Sequence, residues 1–213
     1  MPEMVQTPSV DHVGEVDEAQ TAEDRLRLGL VVDLDAGFAE VMREHERVVY
    51  SVALRLSASS ADAEDVTAEA FLRAYRALRG YDASRIRELR IRPWLLTILR
   101  NTARNAARDA ARRPGPPPAF ELPEPAGVGP SAEQQVEQEL TQHEWAQVLG
   151  RLPEAQRAAV VLRHVEGLPI SEIAEILGCP DGTAKSHVSR GLATLRALLS
   201  GPARTTESEG EDR

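Results

Sequence analysis

Apolar side chains recur at steps of three and four residues in the first half of the chain, the spacing that brings them to one face of an α-helix. One such stripe covers 34–56 and a second covers 66–78. A third begins after Pro93, a residue whose fixed φ suits the first turn of a helix. We therefore predict three helices packed on one another, with Asp62 as the N-cap of the second.

A different arrangement occupies 152–199, where two short apolar stripes are joined by a tight turn. In that turn Gly178 can adopt a positive φ, and Pro180 can open the helix that follows. This pattern predicts a helix-turn-helix, whose second helix presents side chains to the major groove of DNA. A helical hairpin used only for packing is the alternative. Five polar residues are expected on the outer face of the second helix: Thr183, Lys185, Ser186, Ser189 and Arg190.

The remaining segments are polar, acidic or rich in proline. Seven prolines fall within 112–130, and proline both fixes φ and removes a backbone donor, which favours a flexible, semi-extended linker. We predict an all-α fold of two small helical domains joined by this Pro-rich linker. The expected segments are a disordered acidic arm (1–33), a first domain (34–113), the linker (114–132), a helix-turn-helix domain (133–200) and an acidic tail (201–213).

Composition narrows the class of protein. Aromatic residues are only 4% of the chain, which favours helices packed on helices over a β-sandwich. Cys179 is the only cysteine, so neither a disulfide framework nor a cysteine-cluster zinc site is expected. The sequence has no apolar run long enough to span a bilayer and no signal-peptide core at its N-terminus. We expect no membrane insertion and a reducing, cytoplasmic setting.

Charge is distributed unevenly along the chain. The net charge is −9, yet 34–113 carries 15 arginines against 11 acidic residues. Along the third predicted helix, arginines recur at i+4 spacing with two asparagines beside them, the combination that phosphate and base contacts require. A solvated basic face is the alternative interpretation. The residues concerned are Arg100, Asn101, Arg104, Asn105, Arg108 and Arg112.

Three classes of function remain to be compared. The five histidines have no HExxH spacing, and neither a GxxxxGK[ST] loop nor a GxSxG elbow occurs. We therefore expect that the protein is not an enzyme, has no catalytic residue and binds no metal or cofactor. An autonomous helix-turn-helix regulator and a protein-interaction adaptor are the other candidates. A net charge of −9 disfavours the autonomous regulator, because neutralisation of phosphates dominates free DNA binding.

Three segments together resemble the extracytoplasmic-function (ECF) sigma factors of bacterial RNA polymerase. They are DAEDVTAEAFLRAYRAL, then RPWLLTILRNTARNAARDAARR, and, after the linker, LPEAQRAAVVLRHVEGLPISEIAEILGCPDGTAKSHVSRGLATLR. The resemblance implies that the first domain is sigma region 2, which binds the polymerase clamp helices and melts the −10 element. It implies that the second is sigma region 4, which reads the −35 element and sits on the β flap. An anti-sigma factor is a further implied partner.

The resemblance also implies roles for individual residues. Asp65 and Glu69 match acidic positions that contact the core polymerase, and Asn101 matches the asparagine that receives a flipped −10 base. With the basic stripe, the predicted −10 set is Arg100, Asn101, Arg104, Asn105 and Arg108. The predicted −35 set is Arg163, Thr183, Lys185, Ser186, Ser189 and Arg190.

The chain departs from the family pattern in three places. Ala68 stands before Glu69 where the family often has glutamine, and the 81–92 connection is longer than is usual in the family. Gly191 lies inside the recognition helix, where glycine costs about 1 kcal/mol relative to alanine. Either tight packing or simple tolerance would explain it.

Overall fold

The computed structural model describes residues 11–112 and 145–199, with side chains described from residue 21 onward. Within these ranges every regular element is a helix, which confirms the all-α prediction. The predicted linker (114–132) and tail (201–213) lie outside the described residues. The helices are α1 (Asp11–Val32), α2 (Leu34–Leu56), α3 (Ser60–Leu78), α4 (Ala83–Arg87), α5 (Ile91–Arg112), α6 (Glu154–His164), α7 (Ile170–Leu177) and α8 (Asp181–Leu199), and 145–150 is also helical.

The first block has its core where α2, α3 and α5 meet. The predicted stripes are largely buried there, with Val52, Ala70 and Leu99 almost inaccessible to solvent. Phe38 of α2 packs edge-on against Phe71 of α3, with 6.4 Å between ring centroids. These two rings therefore help to join α2 and α3.

The cap of α3 differs from the prediction. Ser59, and not Asp62, is the N-cap: its Oγ accepts a hydrogen bond from the Asp62 backbone N–H at 3.1 Å and donates to Asp62 Oδ2 at 2.7 Å. The helix thus begins earlier than expected, because Ser59, the residue just before it, accepts from a backbone N–H of the first turn and also bonds the Asp62 carboxylate.

The largest departure lies at the N-terminus, where a disordered arm was expected over 1–33. That expectation is wrong for 11–32, which form α1; residues 1–10 lie outside the described residues. Leu26 and Leu30 are only 3% and 2% exposed, one helical turn apart, and they dock α1 on the first block. A Cβ on Gly37 would come within 2.5 Å of the Gly29 backbone, so glycine at this position permits the close crossing of α1 and α2.

The long 81–92 connection contains a short helix. Asp82 caps α4 by accepting from the Arg85 backbone N–H at 2.8 Å, and Ile86 of α4 is buried. The Arg85 guanidinium lies 3.7 Å above the centre of the Tyr81 ring, which in turn packs on Trp94 of α5. The extra length of the connection is therefore ordered against the start of α5.

The second block is the helix-turn-helix that the sequence predicts. Gly178 ends α7 with φ of 65°, and the Cys179 N–H donates to the Ala174 carbonyl at 3.0 Å, a turn that reverses the chain into α8. Of the apolar stripe predicted for α8, Val188 and Leu195 are buried and Leu192 is half-buried, whereas Leu199, at the C-terminal end of the helix, is 59% exposed.

Gly191 is explained by packing. A Cβ at this position would lie 2.6 Å from Val160 Cγ2 and 3.1 Å from the Gln156 carbonyl oxygen, both on α6. Helices α6 and α8 therefore cross at a distance that leaves no room for a side chain, which decides between the two explanations for this glycine.

Candidate nucleic-acid interface

The outer face of α8 presents the five polar residues that the sequence assigns to it. All five are exposed, whereas Ala184 and Val188, which alternate with them along the helix, are buried against the block. Ser186 Oγ donates to the Gly182 carbonyl at 2.8 Å, which orients its hydroxyl along the helix. The exposure of these side chains matches the prediction, and their contacts with DNA stay a prediction.

Arg163 occupies a different position from the rest of the predicted −35 set. It lies at the end of α6, is exposed, and donates from Nη1 to the Leu168 carbonyl at 2.8 Å. This hydrogen bond stabilises the turn between α6 and α7, in which Gly167 has φ of 67°. Arg163 therefore has a structural role in the helix-turn-helix besides the one predicted for it.

The arginine stripe of α5 does not form a uniform solvated face. Arg104 and Arg108 are exposed, but Arg100 is only 11% exposed and is ion-paired with Glu154 at the start of α6. Arg100 Nε lies 2.8 Å from Glu154 Oε1, and Nη2 lies 3.1 Å from Oε2. These three arginines line one cavity of about 220 Å³ together with Glu154 and Arg157.

Arg157 adds a fourth guanidinium to this cavity. Burial lowers its pKa from the usual value, opposed by the neighbouring Glu154 carboxylate, which raises it. Its Nε is buried and has no hydrogen-bond partner among the described residues. The cavity therefore carries an excess of positive charge, as a surface that holds phosphates requires.

The two asparagines of the predicted −10 set lie on the neighbouring face of α5. Asn101 and Asn105 are half-buried, and neither lines the arginine cavity. Each is one residue, or about 100° around the helix, from an arginine of the stripe. The fold thus places amide and guanidinium groups side by side on two adjacent faces of the same helix.

Acidic residues of the second block contact the basic start of α5. Arg90 pairs with Glu172 at 2.7 Å and with Glu175 at 2.6 Å, both on α7. Arg92 donates to the Glu166 carbonyl at 3.3 Å, and Glu166 Oε1 accepts from Ser51 of α2 at 2.8 Å. No local sequence pattern predicts these contacts, since the partners are 74 or more residues apart.

The two predicted polymerase contacts on α3 differ in their surroundings. Glu69 is ion-paired with Arg73 at 2.6 Å, and its side chain is 40% exposed. Asp65 is exposed and lines a cleft of about 640 Å³ between α3, α5 and the 145–150 helix. Both carboxylates are accessible, as the prediction requires.

A groove of about 930 Å³, which the sequence did not predict, lies between α2 and α3. Its lining is largely apolar and includes Met42, which the periodicity placed in the core but which is 39% exposed. Glu40, Arg43, Glu46 and Glu64 also line it. An apolar groove that is also lined by charged residues is typical of a protein-binding surface. No pattern in the sequence separates Met42 from the buried residues of its stripe.

Two further properties concern the described residues as a whole. No group of three or more His, Cys, Asp or Glu side chains among them is arranged to hold a metal ion. None of the helices in 11–112 and 145–199 combines the length and apolar character needed to cross a membrane.

Comparisons with known proteins agree on one family. The model of sigma-70 region 2 matches residues 41–113, and the model of sigma-70 region 4 matches residues 142–195. The ECF RNA polymerase sigma factor SigM of Mycobacterium tuberculosis is 34% identical over 164 residues, which is 76% of this chain and 76% of the relative. SigE of Mycolicibacterium smegmatis is 36% identical over 165 residues, covering 75% of this chain. The match spans only 60% of the SigE relative and 40% of RfaY, a probable sigma factor of Xanthomonas campestris that is 32% identical over 76% of this chain.

Solved structures give the same fold. The sigma factor RpoE of Bartonella quintana, solved in complex with the anti-sigma factor NepR, is 25% identical with a TM-score of 0.55 over 78% of this chain and 98% of that one. CnrH, solved with the cytosolic domain of CnrY, has a TM-score of 0.64 at 23% identity, over 85% of this chain and 99% of that one.

Proposed function

This chain belongs to the family of ECF RNA polymerase sigma factors, and we propose that it is a dissociable polymerase subunit that recognises promoters and opens them for transcription initiation. The observation that carries the proposal is the presence of two separate polar surfaces in one chain. One is the exposed face of α8 on a helix-turn-helix, and the other is the arginine and asparagine surface of α5.

In this proposal α8 reads the −35 element. Arg190 is suited to the acceptor edge of guanine, Ser186 to any base, and Lys185 to phosphate. Their exposure on the outer face of a helix anchored by Ala184 and Val188 supports these roles.

The α5 surface is proposed to hold the opened −10 strand. The arginines contact its phosphates, and the Asn101 amide binds an extruded base, because an amide both donates to and accepts from one base edge. The arrangement of Asn101 beside Arg100 and Arg104 on adjacent helix faces supports this division of labour.

Core polymerase is proposed to bind the first block through α3, at Asp65 and Glu69, and the second block through its β flap. The apolar α2–α3 groove, which neither Asp65 nor Glu69 lines, is proposed as a second contact surface on this block. An anti-sigma factor is a further proposed partner, supported by the complex of the similar RpoE with NepR. We propose that the protein acts in the cytoplasm, without a cofactor and without catalysing a reaction itself.

The direct test is run-off transcription with core polymerase, with and without the full chain, on a library of candidate promoters. Initiation from a set of promoters sharing −35 and −10 elements only when the chain is present is the expected result. An Asp65→Ala/Glu69→Ala double variant should retain its helicity and lose core binding in a pull-down, since both side chains are accessible. Tight sequence-specific binding to duplex DNA without polymerase, and no initiation with it, would favour an autonomous regulator instead.

A further inference from the structure

Helix α1 lies outside both matched regions, which begin at residues 41 and 142, yet it hydrogen-bonds the backbone at Leu89 and Ile91, where α5 begins. We propose that Glu23 and Arg27 of α1 are positioning residues for promoter opening: they hold the 81–92 connection, with the first turn of α5, so that Asn101 meets the extruded base. This inference rests on the proposed function.

Glu23 caps α5 from another helix. Its Oε1 accepts a hydrogen bond from the Ile91 backbone N–H at 2.6 Å. The first N–H groups of a helix have no partner within it, and Pro93 contributes none, so the Ile91 donor depends on an outside acceptor. A carboxylate at this end also interacts favourably with the helix dipole. Glu23 therefore satisfies the first backbone donor of α5.

Arg27 holds the chain just before α5. Its Nε donates to the Leu89 carbonyl at 2.7 Å, and its Nη2 lies 3.2 Å from Glu23 Oε1. The side chain is 12% exposed, so water competes little for these bonds. Glu23 and Arg27, one turn apart on α1, thus hydrogen-bond the backbone on both sides of Arg90. Arg90 in turn pairs with Glu172 and Glu175 in the second block.

The Glu23 and Arg27 hydrogen bonds are held in place because α1 itself is packed on the first block. Leu26 and Leu30 are buried in the core of the first block, and the close crossing of Gly29 and Gly37 prevents the helix from shifting sideways. Asn101 lies ten residues after Ile91, about 15 Å along the helix axis. A small change in the direction or start of α5 would therefore displace Asn101 relative to the DNA strand.

The test compares the full-length Glu23→Ala, Glu23→Gln and wild-type chains in holoenzyme. Glu44→Gln, at an exposed carboxylate of α2, is the matched control. We expect Glu23→Ala to reduce permanganate reactivity of −10 thymines on duplex promoters three- to tenfold and to weaken the preference for the native −10 bases, with −35 binding and core binding unchanged. Glu23→Gln keeps an acceptor oxygen and should restore most of the loss.

Hydrogen exchange at the Ile91 amide gives an independent readout, which should accelerate in Glu23→Ala and not in Glu44→Gln. If the Glu23→Ala variant unfolds below the assay temperature, the same measurements are made on Arg27→Gln instead. The proposal is overturned if opening and −10 preference equal those of the wild type, or if −35 binding, core binding and opening all fall in proportion. Failure of the wild-type chain to open any promoter would instead refute the proposed function.

Discussion

The carboxylate of Glu154 binds two of the nitrogens of Arg100 across the contact between the two blocks. These are the donors with which an arginine grips a phosphate in a bidentate manner. In this arrangement of the chain, Glu154 therefore occupies the place that the proposed function gives to the −10 strand. Contact between Arg100 and DNA requires the ion pair to open.

Glu154→Gln should make that opening easier. Loss of the charge weakens the pair by about 1 kcal/mol, so binding of a single-stranded −10 oligonucleotide by the holoenzyme should tighten by up to about fivefold at fixed salt. Fluorescence anisotropy measures the affinity, and Glu44→Gln serves as control. Equal affinities for the wild type and Glu154→Gln would mean that the carboxylate does not compete with DNA.

Asn101→Ala should impair strand opening more than promoter binding. The variant loses the amide that would bond the extruded base, a loss of about 1 kcal/mol, or roughly fivefold, in open complex. Closed-complex binding through α8 should be nearly unchanged, because α8 belongs to the other block. Permanganate reactivity on duplex templates measures opening.

A template with a pre-melted −10 bubble is the control for Asn101→Ala, since unpairing no longer has to be driven there. It should restore part of the loss. Equal opening by wild type and variant on duplex DNA would assign the base to the 81–92 connection, in which Tyr81 packs on Trp94 of α5.

Arg190 and Lys185 should behave differently at the −35 element. Arg190→Ala should cost about 1–3 kcal/mol at one base position and relax specificity there, because a base contact is lost. Lys185→Ala should weaken all sequences evenly and reduce the salt slope by about 1, as expected for a phosphate contact. Promoter titration with single-base variants measures both. Arg151→Ala, at an exposed arginine outside α8, is the control, and identical profiles for Arg190→Ala and Arg151→Ala would contradict the role assigned to Arg190.

Gly191→Ala should destabilise the second block although alanine favours helices. The new methyl group would lie 2.6 Å from Val160 Cγ2 and 3.1 Å from a backbone oxygen that cannot move independently, and such overpacking costs about 1–3 kcal/mol. Gly182→Ala in the same helix has open space around the added Cβ and should be neutral or slightly stabilising. Thermal unfolding compares the two, and a Gly191→Ala melting temperature at or above that of Gly182→Ala would rule out the packing explanation.

His45 should make stability depend on pH. Burial lowers its pKa below the usual 6.5, opposed by Glu44 and Glu23 and reinforced by Arg92. Below pH 6.5 the unfolded chain therefore takes up a proton that the folded chain resists, and the free energy of unfolding falls as the pH decreases. His45→Gln should flatten this dependence in urea unfolding between about pH 7.5 and 5.5. His164→Gln, at an exposed histidine, is the control, and equal flattening by both variants would contradict the role of burial.

The sequence by itself determined the features that depend on neighbours along the chain. The apolar spacing over 34–56 predicts α2, and the αL turn at Gly178 places α8 with its polar face outward, because periodicity and turn chemistry act within a few residues. The outer face of α8 could be listed residue by residue for the same reason. The predicted N-cap at Asp62 missed by three residues, since Ser59 and Asp62 satisfy the same turn and only the geometry distinguishes them.

Tertiary structure decided what depends on residues far apart in the chain. The 1–33 segment is acidic, and the composition that indicated disorder conceals the two leucines that bury one face of α1. Glu23 meets Ile91 across 68 residues and Arg100 meets Glu154 across 54, distances over which charge patterning carries no information about pairing. The need for glycine at position 191 also depends on tertiary structure. Glycine is required there only because α6 crosses α8, and that crossing exists only once the chain has folded.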